Sequence, residues 1–285
     1  MPEYPRNRGE VEAIVKESGF QRGRVVLITT VVIACLFAGT ALAQEQSRES
    51  MAVDATASQW SFQLAGEGFS DYREGHPEGN NGFLQFRLVA PIAKSESMPI
   101  TLLPRLTLRS VNNKDDEWGF GSSDLFILGI LNEWSTGRWG LGPQINFPAK
   151  SGFGSTNWGL GLAGAVTERV MSDRIFLALL VQQTWRKNDA DETKATPISI
   201  NPIFVFQLGN GWYIGNGDYV INYSWDADAW FIPFGVRLGK AFIQPGKTWN
   251  TYVEYSTSVY YDDWPGPVAT HAFRINFQYQ LPVGI

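Results

Sequence analysis

The sequence predicts an all-β protein, a transmembrane up-and-down antiparallel β-barrel of about 12 strands. Three observations predict it: apolar and polar residues alternate with a period of two, many alternating segments reach ten residues or more, and tryptophans recur near the segment ends. A strand that crosses a bilayer at a tilt needs about 9–11 residues, whereas strands of soluble proteins average about five or six. The pattern therefore favours a membrane barrel over a soluble β-sandwich.

The composition argues against several classes of partner. The 285 residues carry a formal charge of −5 and include only two histidines and one cysteine. A nucleic-acid partner needs a basic face, which this charge does not predict. Zinc fingers, disulfide scaffolds and histidine-rich metal sites need more histidine and cysteine. We therefore expect no metal, no cofactor and no nucleic acid.

The N-terminal region has the pattern of an export signal. An apolar run at 25–43 follows two arginines and ends in Ala-Leu-Ala, which predicts a signal peptide at 1–43 that is cut between Ala43 and Gln44. The alternative is an uncleaved membrane anchor, because 19 residues just span a bilayer. The first 20 residues are long for the front of a signal, and our hypothesis for them is an over-extended start site.

Two regions follow the predicted signal. Residues 44–58 are small and polar, which predicts a flexible periplasmic leader, with inward folding as a plug as the alternative. Residues 59–285 are predicted to form the barrel, and no helix is expected anywhere after the signal. Gly-Asn-Gly-Asp at 215–218 is interpreted as a bulge in the ninth strand. The predicted strands are 60–65, 83–91, 100–110, 124–133, 139–147, 158–170, 175–186, 197–208, 212–224, 229–242, 248–260 and 271–281.

The lengths of the connections indicate how the barrel is oriented. Those after even-numbered strands are mostly short, such as 135–138 and 171–174, whereas those after odd-numbered strands are mostly long and polar, such as 66–82 and 187–196. Barrels with both termini in the periplasm have short periplasmic turns and long outer loops. We therefore expect the protein in the outer membrane of a Gram-negative bacterium.

Tryptophan marks both predicted membrane interfaces. An amphipathic indole ring favours the headgroup region, so two tiers of tryptophan predict two aromatic girdles. The alternative is core tryptophan scattered by chance. The predicted girdle residues are Trp134, Trp139, Trp212 and Trp249 beside short turns, and Trp158, Trp185, Trp225, Trp230 and Trp264 at the opposite strand ends.

The two faces of the predicted strands differ in polarity. One face is apolar along the chain and is predicted to contact lipid, while charged residues on the other face are tolerable only toward a wet lumen. The fourth strand is apolar on both faces, so its direction is left open. Arg87, Arg105 and Arg109 lie on the polar face and add positive charge that favours anionic solutes.

Turn geometry predicts a row of charges across three neighbouring strands. A hairpin closed around 245–246 places Arg237 opposite Glu254. A loop centred near residue 264 then places Glu254 opposite Arg274. The row is either a charged constriction that selects solutes or a structural ion network that fills a narrow barrel.

Several motifs resemble one family of outer-membrane barrels. They are Gly121-Ser122-Ser123-Asp124-Leu125, Gly142-Pro143-Gln144 with Phe147-Pro148, Gly211-Trp212-Tyr213, the run from Trp230 to Lys240, and Gln244-Pro245-Gly246-Lys247. In this order they resemble the family named for the meta-pathway of phenol degradation, whose members are labelled transporters and sometimes neuromedin U. The resemblance covers about residues 80–285. It implies an outer-membrane location and uptake of small solutes, aromatic ones included, and it defines no catalytic residues.

The expected function is a porin-like channel or transporter for passive uptake of small aromatic or anionic solutes, and not an enzyme. The alternatives are a closed structural barrel and a hydrolase of lipids or peptides, for which His271 after Asp262 and Asp263 offers a base. Expected partners besides the solute are outer-membrane lipids, lipopolysaccharide and the barrel-assembly machinery. The alternating C-terminal residues 277–285 resemble the signal that this machinery recognises. The acidic loops are interpreted as solvated, with calcium bridges from their carboxylates to lipopolysaccharide as the alternative.

Overall fold

The computed structural model describes residues 48–54, 56–57, 59–188 and 192–282. The predicted signal peptide and cleavage site, and the last three residues of the predicted assembly signal, lie outside these ranges. None of the described helices is both long and apolar enough to span a membrane. The elements are α1 (Arg48–Val53), β1 (Gln59–Tyr72), β2 (Gly82–Val89), β3 (Leu102–Asn112), β4 (Trp118–Phe120), β5 (Ser123–Glu133), β6 (Gly137–Phe147), β7 (Gly159–Val170), β8 (Ile175–Lys187), β9 (Thr193–Ala195), β10 (Ile198–Gly209), β11 (Trp212–Gly215), β12 (Ile221–Ser224), β13 (Ala229–Gln244), β14 (Lys247–Tyr260) and β15 (Ala269–Pro282).

The strands form one closed antiparallel barrel of 12 strand positions, which confirms the predicted fold class. Sequence neighbours pair around the wall, and the pairing of β15 with β1 closes it. β11 and β12 share one position between β10 and β13, while β4 and β9 pair only with β3 and β8 in the long connections. Closure matters because an unpaired N–H or C=O in hydrocarbon costs several kcal/mol.

Alternate residues of each spanning strand face outward. On β15, Phe273, Ile275 and Phe277 are exposed, while Arg274 and Asn276 between them are buried in the barrel. The same alternation resolves the strand whose direction the sequence left open, because β5 buries Phe126 and Leu128 toward the lumen. The outer surface of the spanning strands is therefore an apolar belt, whereas arginines in the strand middles, such as Arg274, point into the lumen.

The first strand is longer than predicted. The predicted end at residue 65 is wrong, because β1 continues through Gly66 and Gly68 to Tyr72. Pairing with β15 on one side and β2 on the other stabilises these two glycines in extended geometry. The extension turns Glu67 into the lumen, where the sequence analysis had placed a loop.

The ninth predicted strand is broken rather than bulged. β11 ends at Gly215 and β12 begins at Ile221, and residues 216–220 between them leave the wall; we call this stretch the inward segment. The side chain of Asn216 takes over the pairing that the wall loses, since it donates to the carbonyl of Pro202 at 2.7 Å and accepts from the amide of Phe204 at 2.8 Å. The neighbouring strand β10 therefore keeps its hydrogen bonds.

The region before the barrel is also not the free leader that its composition favours. Residues 48–54 with 56 and 57, here called the plug, contain α1 and are largely buried inside the short-turn end of the barrel. This is the alternative of inward folding, and it also overturns the expectation that no helix follows the signal. The plug is held inside the barrel by polar contacts to the wall.

The apolar belt makes a depth-dependent prediction. Val236 in the middle of β13 and Val259 near the end of β14 are both outward and about equally exposed, 54% and 56%. We expect Val236→Arg to lower the free energy of unfolding from lipid vesicles by about 2–4 kcal/mol and Val259→Arg by no more than about 1 kcal/mol. Urea titration of each variant in vesicles measures both values. Equal losses at the two positions would contradict a membrane-spanning belt.

Candidate functional site in the barrel lumen

The barrel encloses a cavity of about 400 Å³. Leu103, Phe126 and Leu128 form an apolar wall from β3 and β5 and are nearly fully buried. The rest of the lining contains both apolar and charged side chains. Five arginines belong to it and are called the arginine cluster below: Arg87, Arg105, Arg109, Arg237 and Arg274.

All six predicted constriction residues face the lumen, and the predicted register is confirmed. Arg237 pairs with Glu254 across β13 and β14, and Glu254 pairs with Arg274 across β14 and β15. The contacts differ from a simple row, however. The carboxylate of Glu254 accepts the backbone N–H of Asp218 at 2.7 Å, and the ion-pair partner of Arg274 is Glu67 at 2.8 Å.

The inward segment brings Asp218 into the middle of the arginine cluster. One carboxylate oxygen lies 3.4 Å from Arg87 on the far side of the lumen and 3.3 Å from Arg274. The other accepts from the amide of Asn201 at 3.3 Å. The inward segment thus reaches into the lumen and contacts its opposite side through Asp218; we call residues 216–220 the central constriction.

Two cluster arginines interact with rings rather than with carboxylates. The guanidinium of Arg105 lies 4.2 Å from the ring centre of Phe126, and that of Arg237 lies over Tyr213 and Tyr252 at 5.9 and 5.1 Å. Among the described residues, neither arginine has a carboxylate at ion-pair distance. Cation–π contact stabilises a desolvated guanidinium without neutralising it.

Arg109 is the best-anchored arginine of the cluster. It donates to Gln85 at 3.2 Å and to the carbonyl of Ser122 at 2.9 Å, and it lies 3.8 Å from Asp124. Its guanidinium also faces the ring of Phe83. We infer that Arg109 supports the wall, while the less anchored arginines are available to a solute.

The plug is held by a buried ion pair. Asp54 lies 3.2 Å from Arg138 of β6, and the same guanidinium donates to the carbonyl of Thr56 at 3.1 Å. Asn250 and Gln280 both donate to the carbonyl of Ala52 at 3.0 Å. The C-terminal end of α1 is therefore fixed to three different strands.

The start of α1 is fixed to two short turns. Arg48 donates to the carbonyls of Gln244 and Lys247 at 2.8 and 2.9 Å, and Glu49 accepts the N–H of Gly211 at 2.9 Å. Val53 packs on the lumen cluster formed by Phe176, Val205, Tyr213 and Tyr252. The plug therefore obstructs the lumen at its short-turn end.

The predicted girdle tryptophans are mostly on the surface. Trp139, Trp158, Trp185, Trp212, Trp225, Trp230 and Trp249 are exposed. Trp134 is half-buried and donates to Glu168 at 2.7 Å, and Trp264 is half-buried against Phe231. The assignment of two girdles stays a prediction.

The histidines do not meet the carboxylates proposed for a hydrolase. Nδ1 of His271 lies 2.8 Å from the hydroxyl of Tyr255, and Nδ1 of His76 lies 3.0 Å from the carbonyl of Trp264. The described contacts of His271 thus include neither Asp262 nor Asp263. In the described ranges, no group of three or more His, Cys, Asp or Glu is arranged to hold a metal ion.

The fold is shared with a solved membrane channel. No family model matches this chain, and no curated protein matches its sequence. The crystal structure of an outer membrane channel from Pseudomonas putida F1 is similar with a TM-score of 0.56 and 14% identity, over 79% of this chain and 95% of that chain. The structure of a Pseudomonas aeruginosa FadL homologue is less similar, with a TM-score of 0.32 and 9% identity over 79% of this chain and 89% of that chain.

The closed barrel and its apolar belt define the class: the protein is an outer-membrane β-barrel. At 14% identity the likeness to the Pseudomonas putida channel shows the fold alone.

Gly217 offers a test of the central constriction. Its φ is +78°, and a Cβ there would lie 2.7 Å from Oε1 of Glu254, whereas Gly246 has φ +70° with open space around it. Gly246→Ala should cost about 1 kcal/mol of backbone strain. Gly217→Ala should cost about 1–2 kcal/mol more, because Glu254 must move and lose its bond to Asp218. Urea unfolding and single-channel conductance measure the two variants.

We expect the conductance to rise only in the Gly217 variant. Identical stability and conductance in the two variants would contradict the role of Glu254 in holding the inward segment.

Asp54 offers a test of the plug. Asp54→Ala removes the buried partner of Arg138, which should cost about 2–3 kcal/mol of local stability. The plug should then open about 30- to 150-fold more often. The rate of tryptic cleavage after Arg48 measures this opening, with Asp115→Ala, in the exposed long connection between β3 and β4, as the matched control. An unchanged cleavage rate in Asp54→Ala would show that other contacts hold the plug.

Proposed function

We propose that this protein is a porin-like outer-membrane channel that carries small organic anions passively through its lumen. The observation that carries this proposal is the arginine cluster that lines the cavity inside the closed barrel. In the middle of the lumen, these five arginines face four carboxylates, those of Glu67, Asp124, Asp218 and Glu254. Positive side chains that line a pore favour anions.

The proposed route is obstructed at two levels, so passage requires movement. The plug fills the short-turn end, and the inward segment reaches into the middle. The plug is held to the wall mainly by side-chain contacts, and within the inward segment only Asn216 pairs with the backbone of the wall strand β10. The plug and residues 217–220 can therefore shift while Asn216 stays paired, so that no wall N–H or C=O is left unpaired in lipid, where each such group costs several kcal/mol.

Orientation follows from the same elements. We propose that the short-turn end faces the periplasm, since cleavage after Ala43 would leave the plug beside that end. The long loops, with their acidic residues, would face lipopolysaccharide, and the alternating C-terminal residues would serve the barrel-assembly machinery.

The narrower proposal is membership in the meta-pathway of phenol degradation family, with aromatic compounds among the solutes. It is supported by the ordered sequence motifs and by aromatic rings beside the cluster, such as Phe83 and Phe126. We also propose that the protein is not an enzyme. The described contacts of the two histidines support this, since His76 meets the backbone carbonyl of Trp264, and His271 meets the Tyr255 hydroxyl without a carboxylate that would orient its ring as a base.

Conductance in planar bilayers tests the channel directly. We expect small ion currents from the intact protein, anion selectivity in a potassium chloride gradient, and a severalfold larger conductance after deletion of residues 48–57. Arg105→Gln should shift the reversal potential toward cations, because it removes a lumen charge. Heat-dependent migration on gels checks that each variant forms a barrel. Folded variants that pass no current, with or without the plug, would favour a closed structural barrel instead.

A further inference from the structure

We propose that the arginine cluster is a binding site for a small organic carboxylate with a compact apolar body. In the structure the carboxylate of Asp218 occupies this site in place of such a ligand, and we call this the stand-in role of Asp218. The inference rests on the proposed channel function and specifies the class of solute.

Asp218 is placed among the arginines by the inward segment, which leaves the wall between β11 and β12. Its carboxylate reaches Arg87 of β2 on the opposite side of the lumen. The backbone of the segment is held separately, because the N–H of Asp218 donates to Glu254 and the carbonyl of Tyr219 accepts from Asn201. The carboxylate can therefore be exchanged without loss of these two bonds.

The ion pairs of Asp218 are longer than strong charge-assisted hydrogen bonds. Charge-assisted hydrogen bonds to carboxylates are typically about 2.7–2.9 Å long. Arg274 and Glu67 meet at 2.8 Å, but Asp218 lies 3.3 Å from Arg274 and 3.4 Å from Arg87. Asp218 therefore satisfies the cluster only in part.

Several guanidinium N–H donors of the arginine cluster are without an acceptor within the described ranges. The buried Nε atoms of four cluster arginines have no hydrogen-bond partner among the described residues: Arg87, Arg105, Arg237 and Arg274. Buried polar groups without partners are costly, so these donors indicate that the acceptors of the described chain satisfy the cluster only in part. A free carboxylate can approach a guanidinium side-on and accept two bonds, which the tethered Asp218 does not.

The wall of Leu103, Phe126 and Leu128 lines the same cavity as the arginine cluster, and Arg105 lies over the Phe126 ring. A carboxylate with a ring or short branched chain would place its charge on the arginines and its body on this wall. A phosphate or sulfate ion would leave the wall unused. The cavity of about 400 Å³ lies within the usual range for small-ligand sites.

Binding to the full chain in detergent tests the site without any need for conduction. Isothermal titration calorimetry with benzoate, benzamide and acetate separates the two requirements, since benzamide lacks the charge and acetate lacks the apolar body. We expect benzoate to bind at least about tenfold more tightly than either comparison molecule, because a hydrogen bond to a charged group and a buried ring each contribute at that scale.

Substitutions then test the stand-in. Asp218→Asn keeps the bonds to Glu254 and Asn201 but removes the competing charge, so benzoate should bind about tenfold more tightly. Arg105→Gln should weaken benzoate binding about tenfold or more. The matched controls are Asp263→Asn in an exposed loop and Arg186→Gln outside the cavity, and both should leave the affinity unchanged.

The outcomes separate this inference from the channel itself. Equal affinity for benzoate and acetate, or for benzoate and benzamide, would overturn the proposed ligand class. Asp218→Asn with unchanged or weaker benzoate binding would overturn the stand-in role, and Arg105→Gln provides an independent measurement if the Asp218 variant does not fold. Ion currents without benzoate binding would contradict the site alone, whereas benzoate binding without currents would contradict the channel alone.

Discussion

A closed ladder of backbone hydrogen bonds is the constraint on which the rest of this molecule depends. Hydrocarbon offers no partner to an N–H or a C=O, so the sheet must close on itself. Twelve antiparallel positions joined by the β15–β1 pair satisfy this requirement and set the width of the lumen. Because the wall fixes that width, the side chains and chain segments inside it decide how much of the lumen stays open.

Charge inside a narrow barrel must be paired, stacked or hydrated, because desolvation of an isolated charge is costly. Charged side chains in the lumen are paired with each other or stacked on rings. Glu67 pairs with Arg274, Arg105 stacks on Phe126, and Asp218 bridges strands across the lumen. The plug follows the same logic at the short-turn end through Asp54. The interior is therefore a set of polar contacts that can rearrange inside a wall that cannot, and this combination suits a gated passage.

Local patterns in the sequence predicted the strands of the wall, whereas long-range contacts determine which chain segments lie inside the barrel. Alternation and turn length are local properties, so the faces of the strands and the pairing of Glu254 with Arg237 and Arg274 could be predicted. Asp218 and Arg87 are 131 residues apart, and no local pattern signals that they meet. Composition likewise gave no sign that Ala52 would accept a hydrogen bond from Gln280, 228 residues away. Glu67 was missed because flanking glycines, which usually end strands, are here paired on both sides.

The central claim is that lipid surrounds the outside of a closed cylinder whose inside is polar. Spin labels on single cysteines along residues 272–278 of β15, in lipid vesicles, test it most directly through collision with oxygen dissolved in lipid and with a water-soluble nickel complex. The account predicts oxygen accessibility that peaks at Phe273, Ile275 and Phe277 and falls at the residues between them, whose side chains face the lumen. Accessibility without this period of two, or strong collision with the nickel complex at those three positions, would contradict it.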